Sequence, residues 1–454
     1  MNQNDYLSQC HQILNNAITK LGFLVTDDKI REISELIIAG MTQNSRYFHN
    51  FKHILMVSNT HSDYPLITLA GLFHDLVYLQ VDEKIPFNLT PYLTPFINEN
   101  NNHLFIKKSL NYQDNSFQIV LNIFSVKLGQ NLSKYNGKNE FLSALVGAKV
   151  LESILPLSLL TQIVTLIELT IPFRHIDGEI TDITLLLKKR LERVNNQFNL
   201  GLQDQDIINT ITQAVIMANL DVSGFASNNV MDFINNTWLL LPETNRCLRD
   251  TKKYTIKEYR IALGNTLQFL DYLSPKFIYH RYNNQPSEKI FQGLINSTEY
   301  NLKIIRLFLK AKLVSLSLLE AICLRFYPEI SLSFLFGIHS NIESKHSSLT
   351  DFLPLFNFYT PTDKIENETL MLLESECPNF FEYPLKQNIF TTFVVKYLTF
   401  SKIILYQPKC YLFFDNKITN EEFLQLFPLQ LITFISEAIA KLLAQKQKLV
   451  LKKL

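Results

Sequence analysis

LITLAGLFHDLVYL, residues 66–79, decides the fold class, because its apolar residues recur at spacings of three and four. This spacing places them along one face of an α-helix. The same pattern runs through ITKLGFLVTDDKIREISELIIAGM (18–41) and FKHILMVSN (51–59). Strict alternation over a strand length is rare, and hairpin dipeptides that contain glycine hardly appear. We therefore predict an all-α protein.

Further helical patterns follow, separated by recognisable breaks. They cover 139–155, 158–170, 182–196, 206–220, 256–273 and 290–326. A break is expected at 170–178, since Pro172 cannot lie inside a helix and Gly178 follows shortly after it. Residues 427–454 have the pattern of an amphipathic helix whose lysines gather near its C-terminal end. Those lysines complement the helix dipole, and contact with a membrane surface or a partner protein is the alternative explanation.

The length of 454 residues exceeds what a single hydrophobic core usually supports, and it predicts more than one domain. The residue pattern changes after YHRYNNQPSEK (279–289), and DFLPLFNFYTPTDKIENE (351–368) is rich in aromatic residues and interrupted by proline. We place the boundary near residue 290. The prediction is a domain at 1–290 that carries the chemistry, followed by a helical C-terminal domain at 291–454 of unknown role.

Composition narrows the class of partner and the compartment. The net charge of +1 argues against a nucleic-acid partner, because binding a phosphate backbone needs a clustered positive field. Five scattered cysteines without a C-x-x-C pair suit a reducing, intracellular environment. The start MNQNDYLSQCHQIL lacks the charged and apolar regions of a secretory signal, which predicts a cytoplasmic protein, with signal-independent export left open. The apolar zone 155–173 is interrupted by Glu168 and prolines, so no transmembrane segment is expected.

Several side chains able to bind a metal lie on these apolar helices. In RYFHNFKHILM (46–56), His49 and His53 are four residues apart, which on a helix means one face and about one turn. Such a pair alone is usually an ordinary pair of helix residues. His74 and Asp75, near the end of the apolar helix, would be costly to bury without a partner such as a cation. Asp221 follows another apolar helix, where an aspartate is usually a cap or turn residue.

Taken together, these residues resemble a known metal site. His53, the doublet His74-Asp75 and Asp221 stand in the order of the metal ligands in the HD superfamily of all-α phosphohydrolases. YFHNFKHILMV is similar to the Tyr-His-Asn-x-x-His motif of cyclic-nucleotide phosphodiesterases, and FHDLVY is similar to the doublet of predicted metal-dependent HD phosphohydrolases. The resemblance, which covers roughly residues 15–275, implies an HD-like helical bundle.

The resemblance also implies residue roles. His53, His74, Asp75 and Asp221 become metal ligands, and His49 becomes the general acid. Two imidazoles and two carboxylates suit Zn²⁺, Mn²⁺ or iron, with Mg²⁺ as a further candidate. Metal-activated water would attack a phosphate ester, and an imidazole, with a usual pKa of about 6.5, can protonate the leaving oxygen.

Three further residues are candidates for holding phosphate or supporting the ligands. Arg174 and His175 lie in the broken segment IPFRHID, and arginine binds phosphate through a bidentate fork. Glu168 could accept a hydrogen bond from a ligand histidine and orient it. The ordinary alternatives are an Arg174 paired with a surface acid, a solvated His175 and a Glu168 on the helix surface.

We therefore predict a metal-dependent hydrolase of a small phosphate ester, with a nucleotide among the candidate substrates. Some features depart from the family. Leu76-Val77-Tyr78 stands where many HD enzymes have a phosphate-holding lysine, and QVDEKIP (80–86) lacks the Asn-Glu pair of the related phosphohydrolases. A purine-clamping glutamine cannot be placed. The alternative is a degenerate HD fold that serves as a binding or scaffold module, although all four ligand types are present.

Overall fold

The computed structural model describes most of the chain, and helix dominates it. The described residues are 3–60, 63–101, 103–110, 112–133, 137–174, 182–250, 253–326, 330–336, 348–355, 359–375 and 385–451. Within them, strands form one small antiparallel sheet, so the predicted all-α class is confirmed.

The chain folds into two compact units that alternate along the sequence. Unit 1 comprises Met1–Ala226 and Ser274–Ser297, and unit 2 comprises Ser227–Leu273 and Thr298–Leu454. This division differs from the single boundary predicted near residue 290. Helical periodicity is a local signal, and it does not show which helices share a core.

Unit 1 contains the first eleven helices and the sheet. The helices are α1 (Gln3–Lys20), α2 (Asp27–Met41), α3 (Phe51–Asn59), α4 (Pro65–Phe73), α5 (Leu79–Asp82), α6 (Thr90–Leu93), α7 (Asn115–Ile123), α8 (Lys138–Leu151), α9 (Leu157–Leu169), α10 (Ile183–Phe198) and α11 (Asp204–Asp221). The strands are β1 (Ile97–Asn100), β2 (His103–Ile106) and β3 (Asn131–Leu132), in that order in the sheet. Ile97 pairs with Ile106, and Leu104 pairs with Leu132.

Helix α4 is the central element of unit 1. Every residue from Leu66 to Phe73 is buried, and α4 packs against α1, α3, α8, α9 and α11. A helix that is apolar all round needs such surroundings. The residues that follow its C-terminal end therefore lie deep within the unit.

The predicted helix over 66–79 ends early, at Phe73, and the chain turns before α5 begins at Leu79. The turn is stabilised because its backbone groups form hydrogen bonds with side chains instead of with the next helical turn. The carbonyls of Asp75 and Leu76 accept hydrogen bonds from Arg46, at 2.6 and 3.1 Å. The N–H of Val77 donates to Ser143 Oγ at 2.9 Å. The His-Asp doublet thus lies in a turn, with His74 as the C-cap of α4.

Helix α3 begins at Phe51, as the pattern over 51–59 predicts. Asn50 is its N-cap, and the Asn50 side chain accepts a hydrogen bond from the N–H of Lys52. Asparagine is favoured at this position because its side-chain oxygen accepts a hydrogen bond from a backbone N–H of the first helical turn. His49 therefore precedes the helix, and the prediction that both histidines lie one turn apart on one helix is wrong.

Unit 2 is also helical. Its helices are α12 (Val230–Thr244), α13 (Ile256–Tyr272), α14 (Glu288–Cys323, which starts in unit 1), α15 (Leu332–Phe336), α16 (Lys364–Glu374), α17 (Leu385–Leu398), α18 (Phe400–Phe414), α19 (Asn420–Gln425) and α20 (Leu429–Leu451). Helix α20 agrees with the helix predicted over 427–454. A buried ion pair joins α13 and α14, with Arg260 Nη2 at 3.1 Å from Glu320 Oε1.

None of the described helices is by itself long and apolar enough to cross a membrane. Two consecutive segments, Asn388–Leu398 and Phe400–Phe414, reach that length and apolarity only when taken together, and they are bent by 109°.

Candidate metal centre

Four side chains from three parts of unit 1 converge at the C-terminal end of α4. His53 comes from the first turn of α3, His74 and Asp75 from the end of α4 and the turn after it, and Asp221 is the last residue of α11. One ligand atom from each lies within 4.8 Å of all the others. The four residues predicted as ligands are therefore brought together, and the group could hold a metal ion.

The spacing within this cluster fits a small divalent cation. Nε2 of His53 lies 3.4 Å from Asp75 Oδ2, and Nε2 of His74 lies 3.4 Å from both Asp75 Oδ2 and Asp221 Oδ1. Bonds of about 2.1 Å at tetrahedral angles place neighbouring ligand atoms about 3.4 Å apart. His53 Nε2 and Asp221 Oδ1 are closer, at 2.9 Å, where the imidazole N–H donates to the carboxylate.

His74 has the hydrogen bonding expected of a metal ligand. Its Nδ1–H donates to the carbonyl of Gly71 at 2.8 Å, which sets the ring orientation. Its Nε2 is buried and has no hydrogen-bond partner, although it faces the carboxylates of Asp75 and Asp221. A buried polar atom without a partner is costly, and either a proton or a cation at Nε2 would remove that cost. A backbone acceptor on the other ring nitrogen is the usual support of a ligating histidine.

A close helix contact holds the two histidines near each other. A Cβ added to Gly71 would lie 2.8 Å from Ser58 Oγ and 3.2 Å from the Ser58 Cα. Helices α3 and α4 therefore approach more closely at this point than any larger residue allows. The rings of His53 and His74, one from each helix region, have centroids 5.6 Å apart.

The charges in the cluster stabilise one another. Burial lowers the pKa of His53, but the carboxylates of Asp221 and Asp75 more than offset this and raise it to about 10. The same carboxylates raise the pKa of His74 against burial. Burial raises the pKa of Asp221, yet the hydrogen bond from His53 and the positive charge of the nearby His74 ring lower it to about 2. The pKa of Asp75 is also lowered, by the histidines around it. Two anionic carboxylates thus attract positive charge into this buried space.

His49 lies beside the ligand group. Its ring centroid is 5.7 Å from that of His53 and 4.3 Å from that of Tyr78. Its charge also lowers the pKa of Asp75, as a nearby cation does. The predicted acid is therefore close to the cluster but belongs to the loop before α3.

The three supporting candidates have different surroundings. Glu168 is buried and pairs with two arginines, since its Oε1 lies 2.7 Å from Arg174 Nη1 and 2.7 Å from Arg190 Nη2. The carboxylate is thus shared between arginines, and the observed acceptor for His74 is Gly71. The Arg174 Nε is buried without a hydrogen-bond partner. The role of Arg174 toward phosphate stays a prediction. His175 lies outside the described residues.

Two titratable residues near this region carry no site signal in the sequence. The pKa of Glu140 is raised to about 7, mainly by burial and also by Asp75 and Asp221, while Arg174 lowers it. Burial and the charge of Arg174 lower the pKa of His280 to about 4. An acidic residue in the first turn of a helix is ordinary, and so is a histidine in a polar loop. Only the folded chain shows their proximity to charged groups.

Comparisons with models of known protein families, with curated protein sequences and with solved structures found no match.

Proposed function

We propose that this protein is a metal-dependent hydrolase of small phosphate esters, with the ion held by His53, His74, Asp75 and Asp221. The observation that carries the proposal is His74, whose Nδ1–H donates to the carbonyl of Gly71 while its buried Nε2 has no hydrogen-bond partner and lies 3.4 Å from the carboxylates of Asp75 and Asp221. A mixed nitrogen and oxygen ligand set favours Zn²⁺, Mn²⁺ or iron, and Mg²⁺ is the less suited candidate because it prefers oxygen ligands.

The division of roles follows from position. When bound, the cation would supply an acidified water and offset charge on the phosphoryl oxygens. The four ligand side chains hold and orient that cation, and Gly71 fixes the ring of His74. His49 is near His53 but outside the ligand group, so its role in this proposal is to donate a proton to the leaving oxygen. The assignment to phosphate esters, including nucleotides, rests on the histidine motif and the His-Asp doublet.

Elemental analysis combined with a hydrolysis screen tests the proposal. The purified protein is loaded with Zn²⁺ or Mn²⁺, its metal content is measured, and phosphomonoesters, cyclic nucleotides and nucleotides are offered as substrates. We expect about one ion per chain in the wild type, and loss of both metal and turnover in Asp75→Ala. His103→Ala, which replaces an exposed histidine on β2, is the control and should keep both.

The outcomes separate the alternatives. A wild type that retains no divalent ion after loading would overturn the proposal, as would hydrolysis that survives Asp75→Ala at the wild-type rate. Metal binding without any phosphoester turnover would favour a binding or scaffold module with an HD-like site.

A further inference from the structure

Arg46 is a buried cation at the centre of a hydrogen-bond network behind the ligand cluster. Its side chain is 0% exposed, and that of Asp82 is 4% exposed. Arg46 Nε lies 2.9 Å from Asp82 Oδ1, and Nη2 lies 2.6 Å from Asp82 Oδ2. This bidentate pair neutralises the charge and fixes the plane of the guanidinium group. A buried charge without such a partner would be strongly unfavourable.

The other N–H groups of Arg46 reach backbone carbonyls beside the metal centre, and Nη1 also lies 3.1 Å from Met41 Sδ. Nη1 donates to the carbonyl of Asp75 at 2.6 Å and to that of His49 at 3.4 Å. Nη2 donates to the carbonyl of Leu76 at 3.1 Å. A guanidinium group has five N–H donors in a rigid fork, so one side chain can bind the carboxylate and these carbonyls together.

We propose that Arg46 is a positioning residue, which, anchored by Asp82, holds the backbone of Asp75 beside that of His49 and so sets the ligand geometry. The inference rests on the proposed metal site. It extends that site, because Arg46 acts through the backbone carbonyl of Asp75 and not through a ligand side chain.

Hydrogen bonds to α8 also attach the same turn, but they reach residues other than those that Arg46 binds. Two side chains of α8 accept hydrogen bonds from this turn: Ser143 Oγ from the N–H of Val77, and Asn139 Oδ1 from the N–H of Leu79 at 3.1 Å. These bonds fix residues 77–79. Arg46 joins the carbonyls of Asp75 and Leu76 to the segment before α3. Its loss should therefore loosen the ligand residue while the rest of the turn stays attached.

Arg46→Lys is the decisive variant. A lysine keeps the positive charge opposite Asp82, but its single ammonium group cannot reproduce the planar fork. We expect Zn²⁺ affinity, measured by competition with a chromophoric chelator, to fall at least about tenfold, as for other groups that orient metal ligands. We also expect faster amide hydrogen exchange over residues 74–80 in the metal-free protein.

Asp114→Asn is the matched control. Asp114 is a buried carboxylate of unit 1 that pairs with Lys149 at 2.8 Å and caps α7. This variant should lower the melting temperature while Zn²⁺ affinity and exchange over 74–80 stay at wild-type values. Equal loss of Zn²⁺ affinity in both variants would mean that Arg46 acts only through general stability, which would overturn the proposal.

Two further measurements keep the proposal testable. If Arg46→Lys does not fold, Asp82→Glu decides, because it keeps the charge but displaces the anchor, and unchanged Zn²⁺ affinity there would refute positioning. If the wild type binds neither Zn²⁺ nor Mn²⁺, the proposed function fails, and the exchange measurement still decides the inference. Unchanged exchange over 74–80 in Arg46→Lys would then overturn it.

Discussion

Nε2 of His53 lies 2.9 Å from Oδ1 of Asp221, although the two residues are 168 positions apart in the chain. The contact joins the start of α3 to the end of α11. In the metal-free protein it is a charge-assisted hydrogen bond, because the pKa of His53 is raised to about 10 and that of Asp221 is lowered to about 2. Protons and a metal ion therefore compete for the same nitrogen atoms.

This competition predicts proton release on metal binding. At pH 7 the imidazole of His53 is protonated, and the raised pKa of His74 favours its protonated form as well. Both must lose their protons to bind a cation, so we expect about one to two protons released per Zn²⁺. Calorimetry in buffers of different ionisation enthalpy measures this number. Zn²⁺ affinity should also rise from pH 6 to pH 9, and a binding enthalpy independent of the buffer would contradict the assignment.

Replacing the two histidines of the motif should have separate effects. His53→Ala removes a ligand atom and should weaken Zn²⁺ binding more than about 100-fold, since even the outer partners of ligands are worth ten- to a hundredfold. His49→Ala should keep the metal and lower turnover by about 100-fold to 10,000-fold, the usual contribution of a general acid. Metal content and steady-state kinetics on the same samples measure both. Loss of metal in His49→Ala would place it among the ligands.

The contact between α3 and α4 predicts that Gly71→Ala is harmful. The added methyl group would press on Ser58, at 2.8 Å from its Oγ, and overpacking of this kind costs about 1–3 kcal/mol. Because the carbonyl of Gly71 also orients His74, Zn²⁺ affinity should fall with stability. Urea denaturation and chelator competition measure the two effects.

Gly264→Ala is the control for that variant. Gly264 lies within α13, and a Cβ there would have no neighbour within 4 Å. Alanine in a helix interior should stabilise the fold by up to about 1 kcal/mol and leave Zn²⁺ affinity unchanged. If Gly71→Ala behaved like Gly264→Ala, the close approach of α3 and α4 would not be required.

The surroundings of Glu140 predict a pH-dependent stability. Its pKa in the folded protein is raised from 4.5 to about 7, so between these pH values the folded state holds a proton that the unfolded state has lost. Stability therefore falls as pH rises from about 4.5 to about 7. Glu140→Gln cannot ionise, and its stability relative to the metal-free wild type should grow over this range and then level off. A difference in urea denaturation that is constant from pH 5 to pH 8 would contradict this.

The sequence predicted the helices well wherever their apolar face was continuous. Helices α8, α9, α10, α11 and α13 end within a few residues of their predicted limits. The predicted helix limit was wrong where hydrogen bonds from residues distant in the sequence end a helix. The pattern over 66–79 is helical throughout, yet α4 ends at Phe73, and the following turn bonds to Arg46 and Ser143. Such partners cannot be identified from local periodicity.

The sequence by itself determined the helical class and supplied the four side chains of the candidate centre, because periodicity and residue type are local properties. The tertiary structure alone decided that Asp221 meets His53 and His74, that Arg46 holds the carbonyl of Asp75, and that Glu140 lies near charged groups. Distances between residues far apart in the chain depend on how the helices pack. Hydrogen bonds and pKa values depend on those distances, so the chemistry of the site follows from packing around the buried helix α4.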